Sequence, residues 1–284
     1  MTQLVPIVKP RIAIPIPNSR RPDYTARALP QYERAVRNAG GEPVIIPVAA
    51  SNAEIAQAAK HCDGVLLPGS PADIDPEKYG AERHADTAAS DPLRDNVDEL
   101  LLQDAYNMRK PVFGICYGLQ SLNVWRTGTL DQELPAIVKH EAGSRVDQAH
   151  RVQIEPESRL GALLRHAGVL PGKSPSVLPV NSTHHQAAAV VGDGLRAVAW
   201  CPDDGVKEAL EGTSADHYVI GVQWHPERTA DKDEASRALF EGFVQAAAEW
   251  HAQLEKRQRD FESSGATQAP QGRIRSRSAS GKGK

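Results

Sequence analysis

Pro111-Val-Phe-Gly-Ile-Cys-Tyr-Gly-Leu-Gln120 decides how this chain is read. An apolar run, Pro111 to Ile115, ends in a cysteine with glycine at both i−2 and i+2. This is a thiol version of the elbow that joins a buried strand to a helix and holds a nucleophile on a sharp turn. Residues two away on either side crowd such a turn, so small ones are needed there. The helix that follows aims its N-terminus at the sulfur and favours thiolate over thiol. A cysteine after an apolar strand is ordinarily a small core residue. The paired glycines instead make Cys116 the candidate nucleophile, whereas Cys62 and Cys201 lack such surroundings and read as structural.

Upstream of the elbow, strands and helices alternate. Arg11 to Ile16 reads as the first strand, its prolines marking an end. Asp23 to Ala39 has apolar residues at helical spacing and closes on Gly40-Gly41. Glu42 to Val48 is a buried strand, Ser51-x-x-Glu54 opens a capped helix to Cys62, and Asp63 to Pro68 is the third strand. Asp95 to Met108 forms the helix before the elbow strand. This alternation implies a mostly parallel central sheet covered by helices on both faces, an α/β fold.

Downstream the pattern changes. Val177–Val180, Leu195–Trp200 and Tyr218–Gln223 are short strand-like runs separated by turn residues, which suggests added antiparallel strands in the second half. Residues 233–258 read as a long amphipathic helix. The expected organisation is a lead of residues 1–10, one domain over 11–258, and a basic low-complexity tail over 259–284 that is disordered. Short basic tails are commonly only solvated, so a nucleic-acid partner is not expected.

Composition narrows the function classes. With 40% hydrophobic and 24% charged residues the chain is ordinary for a globular protein, and a net charge near −3 gives the body no reason to bind a polyanion. No apolar run approaches the roughly 18 residues of a membrane span. The start of the chain lacks a signal-peptide pattern, and three cysteines give no disulfide pattern, so a cytoplasmic protein with reduced thiols is expected. Ten histidines invite a metal, but no His-Glu-x-x-His or Cys-x-x-Cys spacing supports one, and no phosphate loop appears. No metal and no cofactor are expected.

Gly221-Val-Gln-Trp-His-Pro-Glu227 supplies what a thiol nucleophile lacks. His225 follows an apolar run and is the candidate base, able to take the thiol proton and return it to a leaving amine. Glu227, two residues on, is placed to orient that imidazole. A tetrahedral intermediate also needs N–H donors. The backbone of Tyr117 at the start of the elbow helix is one candidate, and the Pro68-Gly-Ser70 turn offers another.

Gly114-Ile-Cys-Tyr-Gly-Leu-Gln120 with His225-Pro-Glu227 resembles the class I glutamine amidotransferase superfamily, and within it the branch of gamma-glutamyl-gamma-aminobutyrate hydrolases and gamma-glutamyl peptidases, the peptidase C26 type. Leu66-Leu-Pro-Gly-Ser-Pro-Ala-Asp-Ile-Asp-Pro76, Asp91-Pro-Leu-Arg-Asp95 and Val180-Asn-Ser-Thr-His-His-Gln186 match further motifs of that branch. The resemblance spans residues 10–250 and implies the flavodoxin-like glutamine amidotransferase fold. It implies a Cys116–His225–Glu227 triad and selects the Gly69 amide, over that of Ser70, as the second oxyanion donor beside Tyr117. It also implies that Gln120, Asn181, Ser182 and His184 hold the substrate, with the role of His185 left open. Two departures stand out: Tyr117 replaces an arginine common in the family, and Thr127-Gly-Thr-Leu130 replaces Gly-Gly-Thr-Leu.

The expected activity is hydrolysis of a small gamma-glutamyl amide through a gamma-glutamyl thioester. A glutaminase subunit that delivers ammonia to a synthetase, or a non-enzymatic gamma-glutamyl-binding relative, would carry similar motifs. The amine half of the substrate stays open, as does the oligomeric state, a homodimer being one option.

Overall fold

The computed structural model describes residues 9–172 and 176–265. The first half builds β1 (Arg11–Pro15), α1 (Pro22–Asn38), β2 (Glu42–Ile46), α2 (Asn52–Lys60), β3 (Gly64–Leu67), α3 (Pro92–Met108), β4 (Val112–Ile115) and α4 (Tyr117–Trp125). The second half adds β5 (Leu130–Asp131), β6 (His150–Ile154), α5 (Arg159–His166), β7 (Ser176–Val180), β8 (Ala187–Ala188), β9 (Leu195–Trp200), β10 (Lys207–Gly212), β11 (Val219–Val222) and α6 (Glu234–Gly265).

Among the described residues nine strands form one sheet in the order β2-β1-β3-β4-β11-β10-β9-β6-β7. From β2 to β11 every pairing is parallel, and from β11 to β7 every pairing is antiparallel. The expected fold is therefore observed, with β4 flanked on both sides by parallel neighbours. Two-residue periodicity sorts the central strands onto two cores. Ile12, Ile14, Leu66, Phe113 and Ile115 pack with Phe240 and Phe243 of α6 on one face. Ala13, Val65, Leu67 and Val112 pack with Leu101, Leu119 and Leu122 of α3 and α4 on the other. Each strand is buried on both faces, as a parallel sheet sandwiched by helices demands.

Local chemistry sets the element ends. Ser51 and Glu54 form the expected reciprocal cap on α2. The helix before the elbow begins earlier than expected, at Pro92, because the Asp91 side chain accepts from the Arg94 amide and proline suits a first helical turn. The last helix runs past the expected boundary at residue 258 to Gly265. The remainder of the expected tail, residues 266–284, lies outside the described residues, as do residues 1–8 of the expected lead. Among the described residues no helix is long and apolar enough to cross a membrane.

Candidate active site

The parallel half brings three loops to one edge. β3, β4 and β11 are neighbours and run the same way, so Gly69, Cys116 and His225, which follow them, emerge together at their C-terminal ends. That edge is where open α/β sheets place ligands.

Cys116 stands on the anticipated elbow. Its φ of 53° and ψ of −106° lie outside the helical and strand regions, and a residue with a Cβ holds them at a cost of order 1–3 kcal/mol. The flanking glycines make the turn possible. A Cβ on Gly118 would sit 2.1 Å from the Leu67 carbonyl oxygen, and one on Gly114 would sit 2.7 Å from the Gly118 oxygen. The Cys116 amide donates to the Val222 oxygen at 2.8 Å, which ties the elbow to β11. All three cysteines are free thiols. Burial pushes Cys62 and Cys201 up to about 11, so both stay protonated and inert near neutrality.

His225 and Glu227 flank Pro226 on a buried 3-10 turn. The His225 Nδ1–H donates to Glu227 Oε1 at 2.8 Å, which leaves the lone pair on Nε2; Nε2 has no hydrogen-bond partner among the described residues. Burial alone would lower the His225 pKa. The Glu227 carboxylate and the neighbouring Cys116 sulfur outweigh burial and raise it to about 9.

Two residues given no role of their own in the sequence reading brace this edge. The Tyr32 hydroxyl, on α1, donates to Glu227 Oε1 at 3.1 Å and accepts from the Gly69 amide at 3.0 Å. A Cβ on Gly69 would lie 2.9 Å from the His225 ring, so glycine is required there by the imidazole itself. Arg94, fully buried on α3, spans from Asp98 to the carbonyls of Pro17 and Pro68 at 2.7 Å each and fixes the loops after β1 and β3. Tyr32 lies in no matched motif, Arg94 lies within the Asp91–Asp95 segment, and the groups they hold at Glu227, Gly69, Pro17 and Pro68 lie far away in sequence.

Several assignments change. Gly69 was expected to donate to an oxyanion, but its N–H is committed to Tyr32. The Tyr117 amide, at the first turn of α4, stays free of a helix partner, while its side chain is buried with the hydroxyl on Asp95. Asn181 was expected to hold substrate. Instead its Nδ2 donates to the His225 carbonyl and its Oδ1 accepts from the His225 amide, each at 2.8 Å, a two-point clamp on the His225 backbone. Ser182 is fully buried and donates to the His140 carbonyl at 2.6 Å. Gln120 and His184 do line the cavity that opens at Cys116. Gln120 Nε2 donates to the Gln186 carbonyl at 2.9 Å, and His184 is almost wholly buried.

The cavity measures about 350 Å³ and has charged walls. His185 sits between Asp73, at 3.1 Å, and Glu133, at 2.7 Å. The bond to Asp73 raises its pKa to about 9, so it is a cation at neutral pH. Arg228, Glu141 and Asp73 complete a mixed-charge lining.

Residues 13–227 match the family model of peptidase C26. The chain belongs to that family. It is 36% identical over 248 residues to a gamma-glutamyl-gamma-aminobutyrate hydrolase of Escherichia coli O157:H7, covering 84% of this chain and 93% of that protein. It is 34% identical to protein NtpR of Enterococcus hirae, covering 75% of this chain and 87% of the other. A Mycobacterium tuberculosis protein provisionally named a glutamine amidotransferase is 36% identical, over 80% and 70% of the two chains. Among solved structures, a Thermoplasma acidophilum protein provisionally described as part of a GMP synthase superposes with a TM-score of 0.56 at 14% identity. It covers 87% of this chain and 98% of that one, a likeness of fold. Every motif that carries the family resemblance lies within the matched span.

Proposed function

We propose that this C26 family protein hydrolyses the amide bond of small gamma-glutamyl compounds, with Cys116 as nucleophile, His225 as acid and base, and Glu227 as orienter. One observation carries this reading: Cys116 and the His225–Glu227 pair meet at the C-terminal ends of adjacent strands, on the wall of a cavity lined by both charge signs. The similar hydrolase of Escherichia coli supports the same substrate class.

In this mechanism the Cys116 thiolate attacks the gamma-carbonyl carbon and a C–S bond forms. The resulting oxyanion accepts from the Tyr117 amide. A second donor at Gly69 requires its N–H to leave the Tyr32 hydroxyl. The C–N bond breaks as His225 Nε2–H protonates the departing amine. Water then loses a proton to His225 and attacks the thioester, the C–S bond breaks, and glutamate leaves. No step calls on an organic cofactor. The glutamyl head is a zwitterion, and the cavity matches it: Arg228 and the His185 imidazolium suit the alpha-carboxylate, Asp73 and Glu141 suit the alpha-ammonium, and Gln120 borders the scissile amide.

The test is mass spectrometry on a panel of gamma-glutamyl-gamma-aminobutyrate, a gamma-glutamyl peptide and glutamine. Release of glutamate and the free amine, with a gamma-glutamyl adduct trapped on Cys116 by acid quench, is the expected result. Ammonia release from glutamine alone would assign the site to a glutaminase. No turnover of any member would overturn the enzymatic reading.

A further inference from the structure

Beside the reactive edge, in the antiparallel half, four side chains from four separate segments converge: His140, His150 at the start of β6, His184 in the loop before β8, and Glu208 on β10. All four are buried. We propose that these four residues bind one divalent transition-metal ion, zinc by the nature of the donor set, in a closed structural site.

The hydrogen bonds around the cluster fix the tautomers. His150 Nδ1 faces the Arg151 carbonyl at 3.2 Å, and His184 Nδ1 faces the Gln186 carbonyl at 3.0 Å. A carbonyl only accepts, so both nitrogens carry their proton there. His140 Nε2 faces the Asp204 carboxylate at 2.8 Å and is protonated for the same reason. The lone pairs left over, on His140 Nδ1, His150 Nε2 and His184 Nε2, all point inward. Together with both oxygens of Glu208, these atoms have no hydrogen-bond partner among the described residues. Three lone pairs and a carboxylate thus share one sealed space with no donor. A single proton satisfies two of these atoms at most, whereas one divalent cation takes an atom from each of the four residues. Buried polar groups without partners are costly, so this arrangement asks for a cation.

The distances fit. Glu208 Oε1 lies 3.4 Å from His140 Nδ1, 3.4 Å from His150 Nε2 and 3.7 Å from His184 Nε2. A tetrahedral ion with bonds of about 2.0–2.1 Å separates its ligand atoms by roughly 3.3 Å. All four ligand atoms lie within 4.8 Å of one another, so small inward rotations of the rings close the set. The outer contacts are those of a metal-bound histidine: each ring donates its second N–H to a carbonyl or to a carboxylate. Three imidazoles and one carboxylate suit zinc better than calcium or magnesium, which prefer oxygen shells. With four protein ligands no position is left for substrate, which makes the site structural.

Its consequence reaches the base. His184 belongs to the loop that also carries Asn181, the clamp on His225, and Ser182, which is bonded to the His140 carbonyl. An ion at the cluster therefore locks this loop to β6 and β10. His184 is then a metal ligand that borders the cavity rather than a substrate contact.

The experiment uses the full chain without an affinity tag. Elemental mass spectrometry of the purified protein is expected to give close to one equivalent of zinc, or of another first-row divalent ion, per chain. Removal with a strong chelator is expected to lower the Tm, and re-addition of zinc to restore it. Cobalt substitution is expected to give the intense visible bands of a tetrahedral site. Glu208→Gln keeps the shape but loses the anionic ligand, and should weaken zinc binding at least about tenfold. Cys116→Ala should retain wild-type metal content, which separates this site from the nucleophile and from the hydrolase reading. If stripped wild-type protein takes up less than about a tenth of an equivalent from excess zinc, with no change in Tm, the proposal is wrong. It is equally wrong if Glu208→Gln binds as wild type does. Should that variant fail to fold, the metal content and Tm of the wild-type chain decide alone.

Discussion

The two halves of the sheet use different kinds of information. In the parallel half, β1 to β4 with β11, the parts of the proposed active site are local. Cys116 and its glycines lie within five residues, and His225 and Glu227 within three. Strand geometry then brings the two short motifs together, because neighbouring parallel strands end at the same edge. In the antiparallel half, β6, β7, β9 and β10, the notable cluster draws one residue from each of four segments between His140 and Glu208. No two of its members share a recognisable spacing. Local motifs thus encode chemistry in the first region, and tertiary pairing encodes it in the second.

The sharpest way to break this contrast is to remove the sulfur. Cys116→Ala is expected to lower kcat/KM for a gamma-glutamyl amide by more than about 10⁴-fold, since the nucleophile of a covalent mechanism has no substitute. The side chain is small and the backbone strain belongs to any residue with a Cβ, so the Tm should hold. A folded variant that still releases glutamate near the wild-type rate would mean that the elbow is only a structural turn.

His225→Ala should follow, at roughly 10³-fold or more, and Glu227→Gln should cost less, because the imidazole moves protons while the carboxylate orients it. Their pH profiles sharpen the point. His225 must be protonated to expel the amine, and Glu227 holds its pKa up at about 9. Activity of the wild type should therefore persist through neutrality and fall as pH rises through about 9. In Glu227→Gln the burial that lowers the pKa is left unopposed, so the alkaline limb should move to lower pH. An alkaline limb that stays in place, or a larger loss for Glu227→Gln than for His225→Ala, would reverse the two roles.

How much was legible follows the same division. The elbow, the His-Pro-Glu turn, the parallel strands and the capped helices all announce themselves through local periodicity and turn chemistry. β6 left a readable trace, since His150, Val152 and Ile154 are buried while Arg151 and Gln153 face out. β10 left almost none: Lys207-Glu-Ala-Leu-Glu-Gly212 looks like exposed polar chain, yet Glu208 and Glu211 are both buried. Glu211 is held by Arg196 on the neighbouring strand, a partner visible only once β9 and β10 pair. Tyr32 was missed, and the tertiary contacts of Asn181 and Arg94 were not read, for a related reason. Each acts on the backbone or carboxylate of a residue tens of positions away, and nothing in its own neighbourhood says so.

A third measurement tests whether the parallel half is as tightly specified as its motif suggests. Gly118→Ala places a methyl against the Leu67 carbonyl, backbone against which no rotamer change gives relief. Overpacking of this kind costs about 3 kcal/mol or more, which for a chain of this size corresponds to a Tm lower by roughly 6–12 °C. A variant with unchanged Tm would show that α4 can slide along β3, and that the elbow is less constrained than its dihedral angles imply.

The mildest substitution asks which half governs the base. Asn181 sits directly after β7, in the antiparallel region, yet both atoms of its amide hold the backbone of His225 in the parallel one. If it contacted substrate, Asn181→Ala would raise KM. As a clamp it should instead lower kcat by about 10-fold with KM nearly unchanged, because displacing a proton-transfer group by a fraction of an ångström acts on the reacting geometry rather than on binding. Asn181→Asp restores one of the two contacts, since its carboxylate still accepts from the His225 amide but cannot donate to the carbonyl. It should recover part of the lost kcat, and the added charge beside the imidazole should shift the alkaline limb upward. A rise in KM with kcat intact would return Asn181 to the substrate and leave the loop's hold on His225 without consequence.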